Sequence, residues 1–249
     1  MSHRDYVALV PSQYGHSLRV SGPLGARPDL NILRIGYGIG ADAPIFEKCW
    51  KMRLSKSIEG LTFTFPRSGP GGGSFTHMEE FFVVTKDIKE FLLERSGAEF
   101  DSFPIKTLNR DGGPTVEKYW AVKCITRIDC IKDEMSVAFR GRHENRKVVS
   151  LKDTAQELEL SEELIYEYAN YEGNRQKIYT QYQVQHVFLD SSRIRPGLKL
   201  FEPHFLPSIL IVNRNFAQEL KALCKGDCFW TLELTDLNGQ LKKLFVEMR

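Results

Sequence analysis

The chain of 249 residues, 42% hydrophobic and 27% charged, has the composition of a soluble globular protein and is long enough to bury a substantial core. Its 34 basic and 32 acidic residues give a net charge of +2, which argues against a dedicated nucleic-acid binder with a dominant basic surface. Its five cysteines lack Cys-x-x-Cys spacing, and no apolar segment has the length of a membrane span or a signal-peptide core. These features predict a cytoplasmic protein with reduced thiols and no metal site.

Residues 1–80 are predicted to form an N-terminal region of loops and short strands. Gly15–Asp42 is rich in Gly and Pro, whereas Gly60–Pro66 alternates cleanly and predicts a strand. The glycine-rich run Gly69–Ser74 lacks the Gly-Lys-Ser/Thr ending of a phosphate-binding loop, so we interpret it as a surface loop. Residues 81–249 are predicted to form an α+β domain, either separate from the first region or packed with it as one compact unit.

Two later stretches, Phe82–Gly112 and Leu210–Gly239, share one pattern. In each, an apolar run meets a residue type that caps helices, Thr85 or Asn213. Apolar positions at helical spacing follow, then a glycine, an alternating segment and a turn dipeptide, which is Asn238-Gly239 in the second copy. The pattern predicts a strand–helix–strand unit used twice. The alternative is a chance likeness between two capped amphipathic helices.

Further strands are predicted around and beyond these units. Phe103–Ile131 is expected to form a β-hairpin, with Trp120 as a core residue. Asp133–Lys147 is polar and charged and is interpreted as a surface excursion, whereas Gln181–Leu189 and Leu241–Glu247 are predicted strands. Together these segments predict an α+β fold, mainly antiparallel sheet with a few packed amphipathic helices.

The segment 151–172 is strongly acidic, with seven acidic residues against one lysine. Its apolar residues recur at helical spacing and predict an amphipathic helix with one buried face. Such a helix either presents a plain solvated face, with Ser161 as its N-cap, or binds a partner. The candidate partner-binding residues are Glu159, Glu162, Glu163, Tyr166, Glu167 and Glu172.

The sequence contains no motif that indicates catalysis. Its six histidines are dispersed, without a metal-binding pair on one helix, and no Gly-x-Ser-x-Gly elbow occurs. His186 and His204 are more simply structural than catalytic, because no acid–base partner stands beside them in the sequence. We therefore predict no catalytic residues, no metal ligands and no cofactor.

Two blocks, Phe81–Ser136 and His186–Leu234, carry motifs that resemble a known family. The first block reads TKDIKEFL after an apolar run, then FPI, DG, YWAV and IDCI; the second reads LD, KLFE, ILIV and a helix running to FW. These motifs resemble bacterial polymorphic-toxin immunity proteins of the eleventh immunity family, formerly a domain of unknown function. The two blocks cover somewhat under half of the chain.

The resemblance implies an α+β fold, no catalysis and a cognate toxin encoded by a neighbouring gene. Toxins of such systems are often HNH-type nucleases delivered by contact-dependent secretion, such as type VI secretion, and they act in the cytoplasm. A nuclease holds a basic cleft for phosphates, which the acidic segment would complement, with Tyr166 as an aromatic anchor. The alternatives are a small hydrolase or nuclease that uses His186 and His204, and an adaptor of a secretion or phage-like assembly.

Overall fold

The computed structural model describes residues 5–11, 19–21, 60, 62–64, 75–78, 81–109, 111–140, 147–150, 182–204, 210–224, 229–235, 237 and 240. Within these ranges the chain forms fourteen strands, two α-helices and one 3-10 turn, Ser191–Arg193. Most strand pairs are antiparallel, so the fold is α+β and dominated by sheet, as the sequence predicts. Neither described helix is long and apolar enough to cross a membrane.

The strands and helices are numbered in chain order. The strands are β1 (Tyr6–Pro11), β2 (Arg19–Ser21), β3 (Thr62–Thr64), β4 (Phe75–Met78), β5 (Phe81–Thr85), β6 (Phe100–Leu108), β7 (Tyr119–Cys124), β8 (Arg127–Ile128), β9 (Val137–Arg140), β10 (Lys147–Val149), β11 (Tyr182–His186), β12 (Leu200–Pro203), β13 (Leu210–Asn213) and β14 (Phe229–Leu232). The helices are α1 (Lys86–Arg95) and α2 (Arg214–Leu223). Strands from both sides of residue 80 pair in the same sheets.

A six-stranded sheet has the order β2-β3-β6-β7-β5-β4. The predicted hairpin is its centre: β6 and β7 pair antiparallel, from Phe100 opposite Cys124 to Ile105 opposite Tyr119. The Asn109 side chain closes the connecting loop by accepting hydrogen bonds from two backbone N–H groups, a turn that this residue type favours. Trp120 is half-buried and packs against the hydrophobic cluster, and Lys89 Nζ lies 4.8 Å from its ring centroid.

A five-stranded sheet has the order β14-β1-β13-β12-β8. β1 lies inside this sheet and pairs antiparallel with both β13 and β14. At the edge, β8 pairs with β12 in parallel over two residues, and this short pair links the segment after β7 to the second half of the chain.

A three-stranded sheet, β10-β9-β11, corrects one prediction. Asp133–Lys147, interpreted from sequence as a surface excursion, contributes β9, which pairs antiparallel with both neighbours. The apolar run in Val137–Phe139 is only three residues long and lies between Ser136 and Arg140. A strand this short takes its stability from two pairing partners rather than from its own pattern, which is why its sequence signal is weak.

The first helix begins and ends where the sequence predicts. Thr85 is the N-cap of α1 in extended conformation, although its side chain makes no capping hydrogen bond. Ile88 and Leu92 are buried, and Gly97 follows the helix with a φ of +71°, the left-handed conformation that glycine adopts at such stops.

The second helix is capped more completely. The Asn213 side chain accepts hydrogen bonds from the backbone N–H groups of Asn215 and Phe216, at 3.1 and 3.3 Å. Phe216 and Leu220 face the core. The predicted stop at Gly226 lies outside the described residues.

The two helices pack against each other and close a shared core. The rings of Phe91 and Phe216 are stacked with centroids 4.9 Å apart, and Arg95 Nη2 lies 3.1 Å from Glu219 Oε2. These two contacts advance along both helices in the same sense, so the helices run roughly parallel. α1 packs on β5 and β7, whereas α2 packs on β13 and β1. One continuous hydrophobic cluster includes residues of both helices and of the strands beneath them.

The strand pairing extends the predicted repeat to four strands and a helix. Unit 1 has the strand order β4-β5-β7-β6 with α1, and unit 2 has the order β12-β13-β1-β14 with α2. When the N-caps Thr85 and Asn213 are equated, the registers agree to the residue. The equivalent pairs are Thr85–Tyr119 and Asn213–Tyr6, Val84–Phe75 and Val212–Leu200, and Cys124–Phe100 and Pro11–Phe229.

The predicted end of unit 2 lies largely outside the described residues. The turn predicted at Asn238-Gly239 is not among them, and the flanking residues Leu237 and Gln240 are helical. The position equivalent to β7 is occupied by β1. The predicted strand Leu241–Glu247 lies outside the described residues.

Candidate functional site

The sequence-predicted partner residues do not fall in the described part of the chain. Glu159, Glu162, Glu163, Tyr166, Glu167 and Glu172 all lie between β10 and β11, outside the described ranges. Their helix, their shared face and their partner therefore stay predictions. The Gly69–Ser74 loop likewise lies outside these ranges.

The two histidines considered for catalysis belong to different sheets. His186 is the last residue of β11 and is half-buried, whereas His204 is exposed just after β12. The backbone N–H of His204 donates to the Ile128 carbonyl at 3.0 Å, which extends the β8–β12 pairing. Among the described residues, no group of three or more His, Cys, Asp or Glu side chains is placed to hold a metal ion.

Several polar and ionisable residues lie at or next to the β8–β12 joint, the parallel pair that links the segment after β7 to the second half of the chain. They include Cys124, Arg127, Glu202 and His204. The Arg127 guanidinium donates to the His204 carbonyl at 3.0 Å, and the Glu202 N–H donates to the Thr126 carbonyl at 3.0 Å. The first bond joins a side chain to the backbone, and the second joins two backbone groups across the joint. Both bonds tie the segment after β7 to β12 and the residue that follows it.

The thiols near this joint are unsuited to nucleophilic chemistry. Burial raises the pKa of Cys124 far above its ordinary value, partly offset by a hydrogen bond to Thr126, and the charge of Glu202 raises it further. Burial, together with Asp129, raises the pKa of Cys130 to about 12. Because the thiolate is the reactive form, both side chains stay protonated and inert at neutral pH.

Sequence reasoning missed two buried charged residues. Lys123 on β7 is only 1% exposed, and Glu202 on β12 is 6% exposed. Both stand in short strands among apolar residues, where a charge ordinarily indicates the solvent face. The one sequence signal of their burial is the continuous apolar run around them, as in YWAVKC of β7. Such a run indicates a strand that is covered on both faces.

Several ion pairs link elements within and between the two units. Arg214, in the first turn of α2, forms a two-pronged pair with Glu233, with Nη1–Oε1 and Nη2–Oε2 distances of 2.7 and 2.8 Å. This hydrogen bonding lowers the pKa of Glu233. Arg193 likewise pairs with Asp129, at 3.1 Å from Oδ2. These charges tie elements of the scaffold together.

Comparison with known proteins adds no assignment to this scaffold. No family model matches the chain, and no curated protein matches it.

Proposed function

We propose that this protein is an immunity protein that neutralises a cognate bacterial toxin by stoichiometric binding. The toxin would be a secreted nuclease effector, such as an HNH enzyme, acting in the cytoplasm. The observation that carries the proposal is the resemblance of two sequence blocks, Phe81–Ser136 and His186–Leu234, to the eleventh immunity family.

The positions of the resembling motifs in the fold support this proposal. The two blocks coincide with the larger parts of unit 1 and unit 2, and the motif residues supply much of their shared core. Ile88 and Leu92 come from the first block, and Phe201 and Val212 from the second; all four are at most 1% exposed. Because the resembling motifs supply core residues, the resemblance concerns the fold. The partner surface would be formed by other residues on that fold.

The chemistry of the described part also favours binding over catalysis. The two buried thiols remain protonated, and the polar groups at the β8–β12 joint are engaged in joining backbone segments. A helix pair in one continuous core with two sheets provides a firm scaffold for a partner surface. The acidic segment 151–172 supplies the charge that a basic nuclease cleft would attract, which raises the rate of association.

Co-expression tests the proposal directly. The C-terminal tip of the large protein encoded beside this gene is produced in a sensitive host with and without the chain. We expect cell death without the chain and survival with it, and a stable one-to-one complex from the purified proteins. Equal survival in the two cultures would refute the proposal.

Charge reversal then tests the predicted surface. The triple variant Glu162→Lys, Glu163→Lys, Glu167→Lys is compared with a matched triple reversal of Glu94, Glu99 and Glu134, which are exposed acidic residues of the described surface. We expect the first variant to lose protection and the control to keep it, while both melt at temperatures close to that of the parent. If both variants protect equally, the acidic segment is not the binding surface.

A further inference from the structure

β1 is held in unit 2 by residues that are remote from it in the chain. It pairs with β13 from Tyr6 opposite Asn213 to Leu9 opposite Leu210, and with β14 on its other side. Unit 1 fills the same position with β7, which follows β6 directly as a hairpin. The same strand position is therefore completed locally in one unit and over a long range in the other.

The two strands at this position share a pattern. With the N-caps equated, Tyr6 corresponds to Tyr119, Ala8 to Ala121, and Leu9 to Val122, so both strands read Tyr-x-Ala-aliphatic. The two strands also have equivalent neighbours, because each lies beneath its own helix and between its two partner strands. The two strands are connected to the chain differently, so their shared pattern follows from their equivalent position in the sheet.

The position selects these residues through burial on both faces. Successive side chains of a strand point to opposite faces of the sheet, and Tyr6, Val7, Ala8 and Leu9 are all at most 3% exposed. The Tyr6 ring packs edge-on against Phe201 at 5.7 Å, and its hydroxyl donates to the Leu198 carbonyl at 3.3 Å. Ala8 has no exposed surface, so a charged side chain at this position would be buried and a larger one would have to displace its neighbours.

We propose that the gap between β13 and β14 is a strand-acceptor site, which binds the β1 segment as an extended peptide whether or not that segment is joined to the rest of the chain. Strand addition of this kind gains its affinity from backbone hydrogen bonds and its specificity from pockets for the side chains. Here both edges of the added strand are paired, and the buried side chains of Tyr6 and Ala8 would confer the specificity. An empty site would expose two strand edges and the face of α2 that β1 covers, so occupancy is strongly favoured.

Peptide exchange tests this site. A protease site is placed between residues 12 and 18 of the full chain, which is then cleaved so that both fragments are present, and a fluorescent peptide of residues 1–11 is added in excess. We expect one labelled peptide per chain to be incorporated. A Tyr6→Phe peptide should compete with it, and an Ala8→Asp peptide should bind at least about a hundredfold more weakly because its charge would be buried. Failure of the labelled peptide to incorporate, or equal incorporation of the Ala8→Asp peptide, would overturn the proposal.

A circular permutant keeps the test decisive if the cleaved chain does not stay folded. In the permutant, a flexible Gly/Ser linker joins Arg249 to Met1 and the chain starts at Ser12, so that β1 comes after β14 in the chain instead of preceding β13. We expect it to fold with the circular dichroism spectrum and the denaturation midpoint of the parent. The permutant carrying Ala8→Asp should be unfolded. A permutant that fails to fold would also overturn the proposal, because the site would then require β1 in its original connection.

Discussion

Units 1 and 2 build the same four-stranded arrangement from opposite kinds of connection. In unit 1, β6 and β7 form a hairpin, whereas in unit 2 the equivalent pair joins β14 to β1. The register, the helix position and the Tyr-x-Ala pattern are nevertheless the same. The buried surroundings of a strand therefore determine which residues it needs. Its connection determines whether it pairs with a neighbour in sequence or with a remote segment, and at which stage of folding. Four sets of substitutions test this difference, from the largest expected effect to the smallest.

Removing the equivalent tyrosines should have the largest effect. Tyr6→Ala and Tyr119→Ala should each lower the free energy of unfolding by about 3–5 kcal/mol, because each deletes a buried aromatic ring. The kinetics should differ: Tyr119→Ala should slow folding, since its hairpin forms locally, whereas Tyr6→Ala should mainly accelerate unfolding. Denaturant titration and stopped-flow measurements separate the two. Identical kinetic effects would mean that both strands pair at the same stage of folding.

The contact between the units predicts the next effect. Gly97 has a φ of +71°, and a Cβ at this position would overlap the Gly197 carbonyl oxygen and lie 3.0 Å from its carbon. Gly97→Ala should therefore cost about 3 kcal/mol, the sum of backbone strain and a displaced backbone. Gly112→Ala is the matched control, because its φ is +81° but nothing lies within 4 Å of the added Cβ. The control should lower the free energy of unfolding by about 1 kcal/mol, measured by thermal denaturation. If both variants lose the same stability, the close approach of Gly97 to Gly197 does not contribute to the cost.

The two helix caps differ and should respond differently. Asn213→Ala removes a side chain that accepts two backbone hydrogen bonds and should cost about 1 kcal/mol. Thr85→Ala should cost less, because the Thr85 side chain makes no capping bond. Denaturant midpoints of the two variants provide the measurement. A larger loss at Thr85 would contradict the assigned difference between the caps.

The Arg214–Glu233 pair should have the smallest effect, since the Glu233 side chain is 54% exposed and solvent screens the charges. The hydrogen bond from Arg214 lowers the pKa of Glu233, so the stabilisation is present above the ordinary glutamate pKa. It is lost as the pH falls through the lowered pKa. Glu233→Gln should cost a few tenths of a kcal/mol at pH 7 and nothing near pH 2, measured by thermal denaturation across this range. A cost that is independent of pH would exclude the ion pair as its cause.

Local signals account for the parts of the fold that sequence predicted well. The N-caps Thr85 and Asn213 mark helix starts because capping is a matter of neighbouring backbone groups. The hairpin of β6 and β7 likewise follows from alternation and a glycine turn. β9 was missed because its apolar run is short and one of its two partners, β11, is far along the chain. The candidate partner residues in 151–172 remain a prediction from sequence. Only the local charge and the helical spacing of that segment support them.

By itself, the sequence determined the class of the fold, the positions of the two described helices and the existence of a repeated strand–helix–strand unit. These depend on periodicity and capping within a few residues, which any reader of the chain can see. Only the tertiary structure decided that β1 completes unit 2, that Lys123 is buried, and that α1 and α2 lie side by side. Each of these depends on contacts between segments remote in the chain, and strand pairing through backbone groups leaves little trace in the order of side chains.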